Sequence, residues 1–222
     1  MPEGSAGTAR GPIGGGFYTR TVPSDRPFRL GLLGGTFDPP HVGHLAAALA
    51  VASGLDLDRV DFLPANDPWQ KTAGGRVVSP AGVRLEMARA LVEGHPSLGI
   101  DDREIRRGGP TYTVDTLREI HREQPGTDVH LIIGSDTARQ FQTWKDHEEV
   151  ARLSTLVVVN RPDTPAERPS GADRVQFVTM QEVAVSSSAV RAAVSAGTDV
   201  SGMVTPAVAR IISAHGLYGA RR

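Results

Sequence analysis

Short apolar segments alternate with longer helical ones along almost the whole chain after Arg29, and this alternation narrows the fold more than any other feature. Leu30–Leu33, Arg59–Pro64, Leu98–Ile105, Val129–Ile133, Thr155–Val159 and Arg174–Thr179 read as strands. Between and after them, Gly43–Ser53, the stretch opened by Ser79-Pro80, Thr113–Glu123, Asp136–Leu153, Ser188–Ala196 and the stretch from Thr205-Pro206 to about His215 read as helices. A serine or threonine followed by proline suits a capping hydroxyl ahead of the first helical position. Strands separated by helices of about ten to fifteen residues build right-handed βαβ units, and therefore an α/β fold with a parallel, doubly wound sheet and helices on both faces. Ligands of such sheets sit at the carboxyl ends of the strands, where strand order reverses. The strand-to-helix loops are thus the places to look for chemistry.

The first 28 residues are of a different composition. They hold six glycines and four prolines and no apolar stretch with a usable period. Such a segment buries too little apolar surface to offset the entropy of ordering it, so residues 1–28 are expected to form a disordered arm ahead of a single domain at 29–222. The arm lacks the apolar core of a secretory signal, and Arg10, Arg20 and Arg26 come without the amphipathic pattern of a transit peptide. The longest apolar run, Leu45 to Ala52, has eight residues, far short of the ~20 that a membrane-spanning helix needs. Lys and Arg number 24 against 25 Asp and Glu, so no global field recruits nucleic acid or an anionic membrane, and any polyanion must be held by local geometry. The absence of cysteine excludes disulfides, thiolate metal sites and cysteine nucleophiles, and it fits a reducing cytoplasm.

Four loops carry the candidate chemistry. Gly34–His44, GGTFDPPHVGH, follows the first strand and opens a helix. Its glycines allow close backbone approach, and the helix amino terminus near Gly43 favours an anion. His41 and His44 are three residues apart at that terminus and can face one bound group. A tight turn explains the glycines and prolines but leaves two imidazoles at the unfavourable end of a dipole. A metal site built on them needs a third ligand, and no HExxH pattern or cysteine supplies one. The second loop, Pro64–Lys71, ends in Lys71 one strand over, placed for phosphate, with Trp69 in the same loop. The third region comprises Gly109–Leu117 (GPTYTVDTL) and Gly134–Trp144 (GSDTARQFQTW). Tyr112 suits core packing as well as a ligand contact. The fourth, Val185–Arg191 (VSSSAVR), puts serine hydroxyls, free N–H groups and a guanidinium on one helical face, a clamp suited to a polyphosphate.

The eleven residues from Gly34 to His44 resemble the signature loop of the bacterial nicotinate mononucleotide adenylyltransferases, within the HxGH nucleotidylyltransferase superfamily. The other three regions are similar to family segments in the same order, from Leu30 to about Tyr218. Val185 and Ser188 stand where the family usually has isoleucine and threonine, and the arm has no counterpart. The resemblance implies a Rossmann-like nucleotidylyltransferase fold. It also implies transfer of the adenylyl group of ATP to the phosphate of nicotinate mononucleotide, giving nicotinate adenine dinucleotide and pyrophosphate. It implies catalytic roles for His41, His44, Lys71 and Arg191, and ATP binding by Gly34, Gly35, Thr36, Phe37, Gly134, Asp136, Ser187 and Ser188. The nicotinate carboxylate would meet the N–H groups of Val114 and Lys145 and the hydroxyl of Thr113, itself a candidate helix cap, with Tyr112 nearby and Trp144 stacked on the ring.

A phosphate monoester is already ionised near pH 7, since its second pKa is about 6, so this reaction needs no general base and no covalent intermediate. It needs two polyanions brought together and charge stabilised on the transferring group. His41, His44, Lys71 and Arg191 would neutralise that charge, helped by the backbone of Thr36 and Phe37. Mg2+ would arrive on the ATP phosphates; Asp38 is the nearest carboxylate, better read as a turn residue. Nicotinamide mononucleotide or phosphopantetheine as acceptor, a silent nucleotide sensor and a metal-binding histidine pair remain the alternatives. Oligomeric state, homo-oligomer included, stays open.

Overall fold

The computed structural model describes residues 26–68, 77–160, 167–181 and 183–220. Six strands form one all-parallel sheet: β1 (Arg29–Gly35), β2 (Arg59–Pro64), β3 (Leu98–Ile100), β4 (Asp128–Gly134), β5 (Thr155–Asn160) and β6 (Val175–Thr179), in the order β3-β2-β1-β4-β5-β6. The order reverses between β1 and β4, which pair in register from Arg29↔Asp128 to Leu33↔Ile132. The helices among the described residues are α1 (Val42–Gly54), α2 (Ala81–Val92), α3 (Arg103–Arg107), α4 (Thr113–Glu123), α5 (Ser135–Arg139), α6 (His147–Leu153), α7 (Ser187–Ser195) and α8 (Pro206–Ala214). None is long and apolar enough to cross a membrane.

The two-residue period of the strands sorts their side chains into two cores, as a sheet covered on both faces requires. Leu33, Val60, Phe62, Ile132 and Val157 face α1, α2, α7 and α8, where they meet Ala48, Val51, Met87, Leu91, Val190, Val208 and Ile212. Their neighbours Leu32, Leu131, Ile133, Leu156 and Val158 face the other way and meet Val114, Leu117 and Ile120 of α4, with Phe141 and Val150. Each fully buried side chain of this size contributes about 1.5–3 kcal/mol of transfer free energy.

Several elements differ from the sequence expectation, each for a local reason. The third strand stops at Ile100 rather than Ile105. Beyond it Asp101 Oδ1 accepts the N–H of Arg103 at 3.0 Å and Oδ2 accepts its Nε at 2.6 Å, turning the chain into α3. Ser79 does not cap α2. Pro80 is the residue ahead of the helix, with ψ 141°, and the carbonyl of Ser79 instead accepts Arg84 Nε at 2.9 Å. Thr113 is the first helical residue of α4 and Tyr112 occupies the cap position. The helix expected over Asp136–Leu153 is broken into α5, a 3-10 turn at Phe141–Thr143 and α6, because Trp144 is extended and Asp146 is left-handed with φ 49°. At the fourth loop Ser186 caps α7, its hydroxyl accepting Ala189 N–H at 3.1 Å, and Thr205 caps α8 as expected.

Arg26–Phe28, grouped with the arm by composition, are tied to the sheet. The Arg26 guanidinium holds Asp58 at 2.8 Å and the Phe28 carbonyl accepts Asp128 N–H at 2.9 Å. The rest of the arm, 1–25, lies outside the described residues.

Candidate active site

The carboxyl ends of the strands open into a cavity of about 590 Å3, within the range of small-molecule sites. It spans the reversal point. Gly34–Thr36 after β1 and Gly134 after β4 lie on its wall, with Leu63 and Ala65 from the β2 side and Val159, Asn160 and Met180 from the β5–β6 side. His41, Gly43 and His44 reach it from α1, on one face of the sheet. Tyr112, Thr113, Trp144 and Lys145 reach it from α4 and the segment after α5, on the other.

The first loop brings both imidazoles together. His41 immediately precedes α1, and its ring stacks on that of His44 with centroids 3.6 Å apart. The backbone N–H of His41 donates to His44 Nδ1 at 3.1 Å, so that nitrogen carries no proton and the proton of the neutral ring sits at Nε2. His41 is 8% exposed, its Nδ1 is buried without a partner, and burial lowers its pKa from 6.5 to about 4. This imidazole is therefore neutral at pH 7. The charge expected of it has to be induced by an arriving anion, whereas a hydrogen bond from its ring is available at once. Gly43 matters here by size, since a Cβ on it would lie 3.1 Å from His41 Nδ1.

The two glycines expected to admit a ligand have separate duties. Gly34 has open space where a side chain would project, while a Cβ on Gly35 would come within 2.8 Å of the Phe37 ring. Phe37 itself turns inward. It is 2% exposed, packs edge-on against His44 at 5.1 Å and lies 5.3 Å from Phe62, so its side chain supports the imidazole from below rather than lining the cleft. The carbonyl of Thr36 is taken by Arg84 Nη1 at 2.7 Å.

Arg191 comes to the same loop from α7. Its Nη1 donates to the Asp38 carbonyl at 2.7 Å and its Nη2 to Ser188 Oγ at 3.0 Å, while Ser187 Oγ donates to the Pro39 carbonyl at 2.9 Å. The imidazole pair, Arg191 and both serines thus gather around Asp38–His44. Lys71, together with Trp69, lies outside the described residues.

Four of the residues named around α4 reach the same cavity. Thr113, Tyr112, Trp144 and Lys145 all line the cavity. Trp144 rests on Phe141 with ring centroids 5.7 Å apart, and the Lys145 ammonium lies 4.5 Å over the Tyr112 ring. Lys145 also pairs with Asp115 at 3.3 Å. Val114 is fully buried in the core at the start of the helix and does not line the cavity. Asp136 is placed between the lining residues Gly134 and Thr137, but its own side chain is exposed and paired with Arg139 rather than set into the cavity wall.

Three residues went unnoticed in the sequence. Arg84, 1% exposed, donates to the carbonyls of Thr36, Asn66 and Ser79 at 2.7–2.9 Å and so ties three loops of the cleft together. Tyr218 reaches Asp38 from near the end of the chain. Glu104 lines the cavity from α3, in a stretch read as strand. An arginine in a helical run and a glutamate in a presumed strand carry no local signal of such roles.

The imidazoles and the Thr113 hydroxyl line the cavity, while Arg191, Ser187 and Ser188 bond the backbone of the first loop without lining it, and together these donors suit anions. Asp38 fits poorly as a direct cation ligand, being 1% exposed and already accepting from Tyr218. Among the described residues no three His, Asp or Glu form a cluster able to hold a metal ion.

A family model described as cytidylyltransferase-like matches residues 32–193. A protein of Corynebacterium kroppenstedtii named "probable nicotinate-nucleotide adenylyltransferase" is 40% identical over 86% of this chain and 90% of its own. One of Streptomyces coelicolor with the same name is 41% identical over 84% and 98%. Among solved structures, the nicotinic acid mononucleotide adenylyltransferase of Plasmodium falciparum complexed with NaAD superposes with a TM-score of 0.74. It is 14% identical, with 87% of this chain and 98% of that one covered, and shows a shared fold.

Proposed function

The chain belongs to the nicotinate-nucleotide adenylyltransferase family, nucleotidyltransferases of NAD biosynthesis, and on that premise we propose how its own residues carry the reaction. A phosphate oxygen of nicotinate mononucleotide attacks the α-phosphorus of ATP. The bond from that phosphorus to the bridging oxygen of the β-phosphate breaks, and pyrophosphate leaves with the electron pair. The nucleophile is ionised near pH 7, so the protein need not remove a proton.

Its task is to hold two anions in line and stabilise the charge that develops between them. The observation that carries this reading is the convergence of three side chains on one loop: His41 stacked on His44 at 3.6 Å, and Arg191 bonded to the Asp38 carbonyl at 2.7 Å. His44, its Nδ1 occupied, offers Nε2–H to a phosphate oxygen. His41 donates one hydrogen bond, or gains a proton as the negative charge of the arriving triphosphate raises its proton affinity. Arg191, with Ser187, Ser188 and Lys71, neutralises the β- and γ-phosphates. Gly34, Gly35, Thr36 and Phe37 form the backbone floor, and Gly134 flanks the ribose. At α4 the Thr113 hydroxyl and the Val114 and Lys145 N–H groups hold the nicotinate carboxylate, while Tyr112 and Trp144 flank its ring.

Mg2+ supplies charge neutralisation on the ATP phosphates, and because it keeps several waters it needs few protein carboxylates. We place the reaction in the cytoplasm. A pyrophosphate-release assay with ATP and Mg2+ tests the reading by comparing three acceptors. Nicotinate mononucleotide should be the best, with nicotinamide mononucleotide weaker and phosphopantetheine inactive. Turnover of phosphopantetheine above the mononucleotides overturns it.

A further inference from the structure

We infer that Glu104 makes the preference for an acidic over an amide ring substituent depend on pH: its carboxyl must be protonated for the anionic ring to dock at the start of α4, and its ionisation turns the pocket against that anion. This rests on the reading above, in which the nicotinate carboxylate meets Thr113 and Val114.

The geometry puts a second carboxyl beneath that position. Glu104 is 3% exposed and lines the cavity together with Thr111, Tyr112 and Thr113. Its Oε1 accepts the hydroxyl of Thr116 at 2.8 Å. Thr116 lies three residues after Thr113, about one helical turn, so Glu104 sits under the first turn of α4.

The charges around it do not neutralise it directly. Arg107, on its own helix, is engaged by Glu119 at 2.7 Å and by Thr116 Oγ1 at 2.8 Å. Arg103 is held by Asp101 at 2.6 Å and Glu123 at 3.1 Å, with Glu119 at 3.9 Å. Asp101 adds repulsion of the same sign, and Asp61 of β2 faces Asp101 and Arg103 from the sheet side. On the cavity side Lys145 and Asp115 pair with each other. Burial, the largest influence, pushes the Glu104 carboxyl up to about 7, against the Thr116 hydrogen bond and the nearby arginines.

Near neutral pH this group is therefore poised between its two forms. An incoming carboxylate raises its proton affinity further, and a neutral amide does not. Binding of the acid should thus take up a proton that binding of the amide leaves in solution, and the acid should lose ground to the amide as pH rises. A like charge lining the same partly dry cavity amounts to roughly tenfold in binding.

The test is the ratio of kcat/KM for nicotinate mononucleotide to that for nicotinamide mononucleotide from pH 6 to pH 8.5. Ionisation of the phosphate is common to both substrates and cancels. The ratio should fall roughly tenfold in the unmodified enzyme and stay flat in Glu104→Gln, which keeps the shape and can still accept from Thr116. Calorimetry at pH 7.5 in buffers of different ionisation enthalpy should register proton uptake with the acid, and less with the amide. That measurement needs no variant and decides the matter even if Glu104→Gln fails to fold. A pH-independent ratio, an unchanged slope in Glu104→Gln, or equal proton uptake with both ligands overturns the inference while the functional reading stands. If neither mononucleotide is turned over, both fall.

Discussion

The Tyr218 hydroxyl donates a 2.6 Å hydrogen bond to Asp38 Oδ1 across 180 residues of sequence, joining the end of the chain to the loop that carries both imidazoles. Tyr218 also accepts from Ser79 Oγ at 3.4 Å, and burial together with the bond to Asp38 raises its pKa above the ordinary value. Tyr218→Phe leaves a buried carboxylate without this donor, a cost of about 1–3 kcal/mol. Urea unfolding should register that loss, and ATP KM should rise several-fold because the loop is less firmly held. Unchanged stability and KM would show that the contact has no role in holding the loop.

Arg84 does for three loops what Tyr218 does for one. A lysine keeps the charge but cannot reach the carbonyls of Thr36, Asn66 and Ser79 together. Arg84→Lys should lower stability by about 2 kcal/mol, as expected for losing charge-assisted hydrogen bonds, and raise ATP KM roughly tenfold. Steady-state kinetics at a temperature where the variant stays folded separates the two effects. A variant that is less stable but kinetically normal would make Arg84 a stability element alone.

His44→Ala should retain the fold, because the ring lies at the cleft wall rather than in either core, and should lose at least ~100-fold in kcat, about 2.7 kcal/mol of transition-state stabilisation. Circular dichroism and single-turnover rates check both halves of that statement. Near-normal turnover by a folded variant removes His44 from the mechanism.

His41 predicts a pH effect of definite sign. Its folded pKa, about 4, lies below the ordinary 6.5, so the folded state binds fewer protons in that window and stability is lost as pH falls from 6.5 toward 4. Between pH 7.5 and 5 the loss amounts to about 2 kcal/mol. Asp61 and Glu104, raised by burial to about 6 and about 7, act in the opposite sense: their contribution is present at low pH and lost as pH rises through those values. Comparison with His41→Asn isolates the imidazole. The stability gap between the two proteins should change by about 2 kcal/mol over that range, and a constant gap would contradict the assignment.

Trp144→Ala should weaken the mononucleotide about tenfold, the usual scale of aromatic–ring stacking, with ATP KM within about twofold of normal. Equal losses for both substrates would point to collapse of the segment around Phe141 rather than to a lost stacking face.

How far local chemistry carries is visible element by element. Arg59–Pro64 and Thr113–Glu123 form as expected to the residue, because an apolar run and an amphipathic period are self-contained signals. Ser79-Pro80 looked like a cap and proline pair, yet the backbone there is recruited by Arg84, and a distant contact outweighed the local preference. Leu98–Ile105 read as one strand, but the Asp101–Arg103 contacts end it at Ile100, and Glu104 was hidden by that misreading. Among the serines of the fourth loop, only the structure decides that Ser186 caps while Ser187 and Ser188 hold Pro39 and Arg191.

By itself the order of residues determined the alternation of strands and helices, since each such element depends on neighbours a few positions apart, and that alternation pointed to a parallel sheet. Only the folded chain decided that His41 is neutral at pH 7, that Phe37 faces inward, and that Arg84, Tyr218 and Glu104 reach the same loops and cavity. Burial and long-range hydrogen bonds set those properties, and both are created when segments distant in sequence pack together.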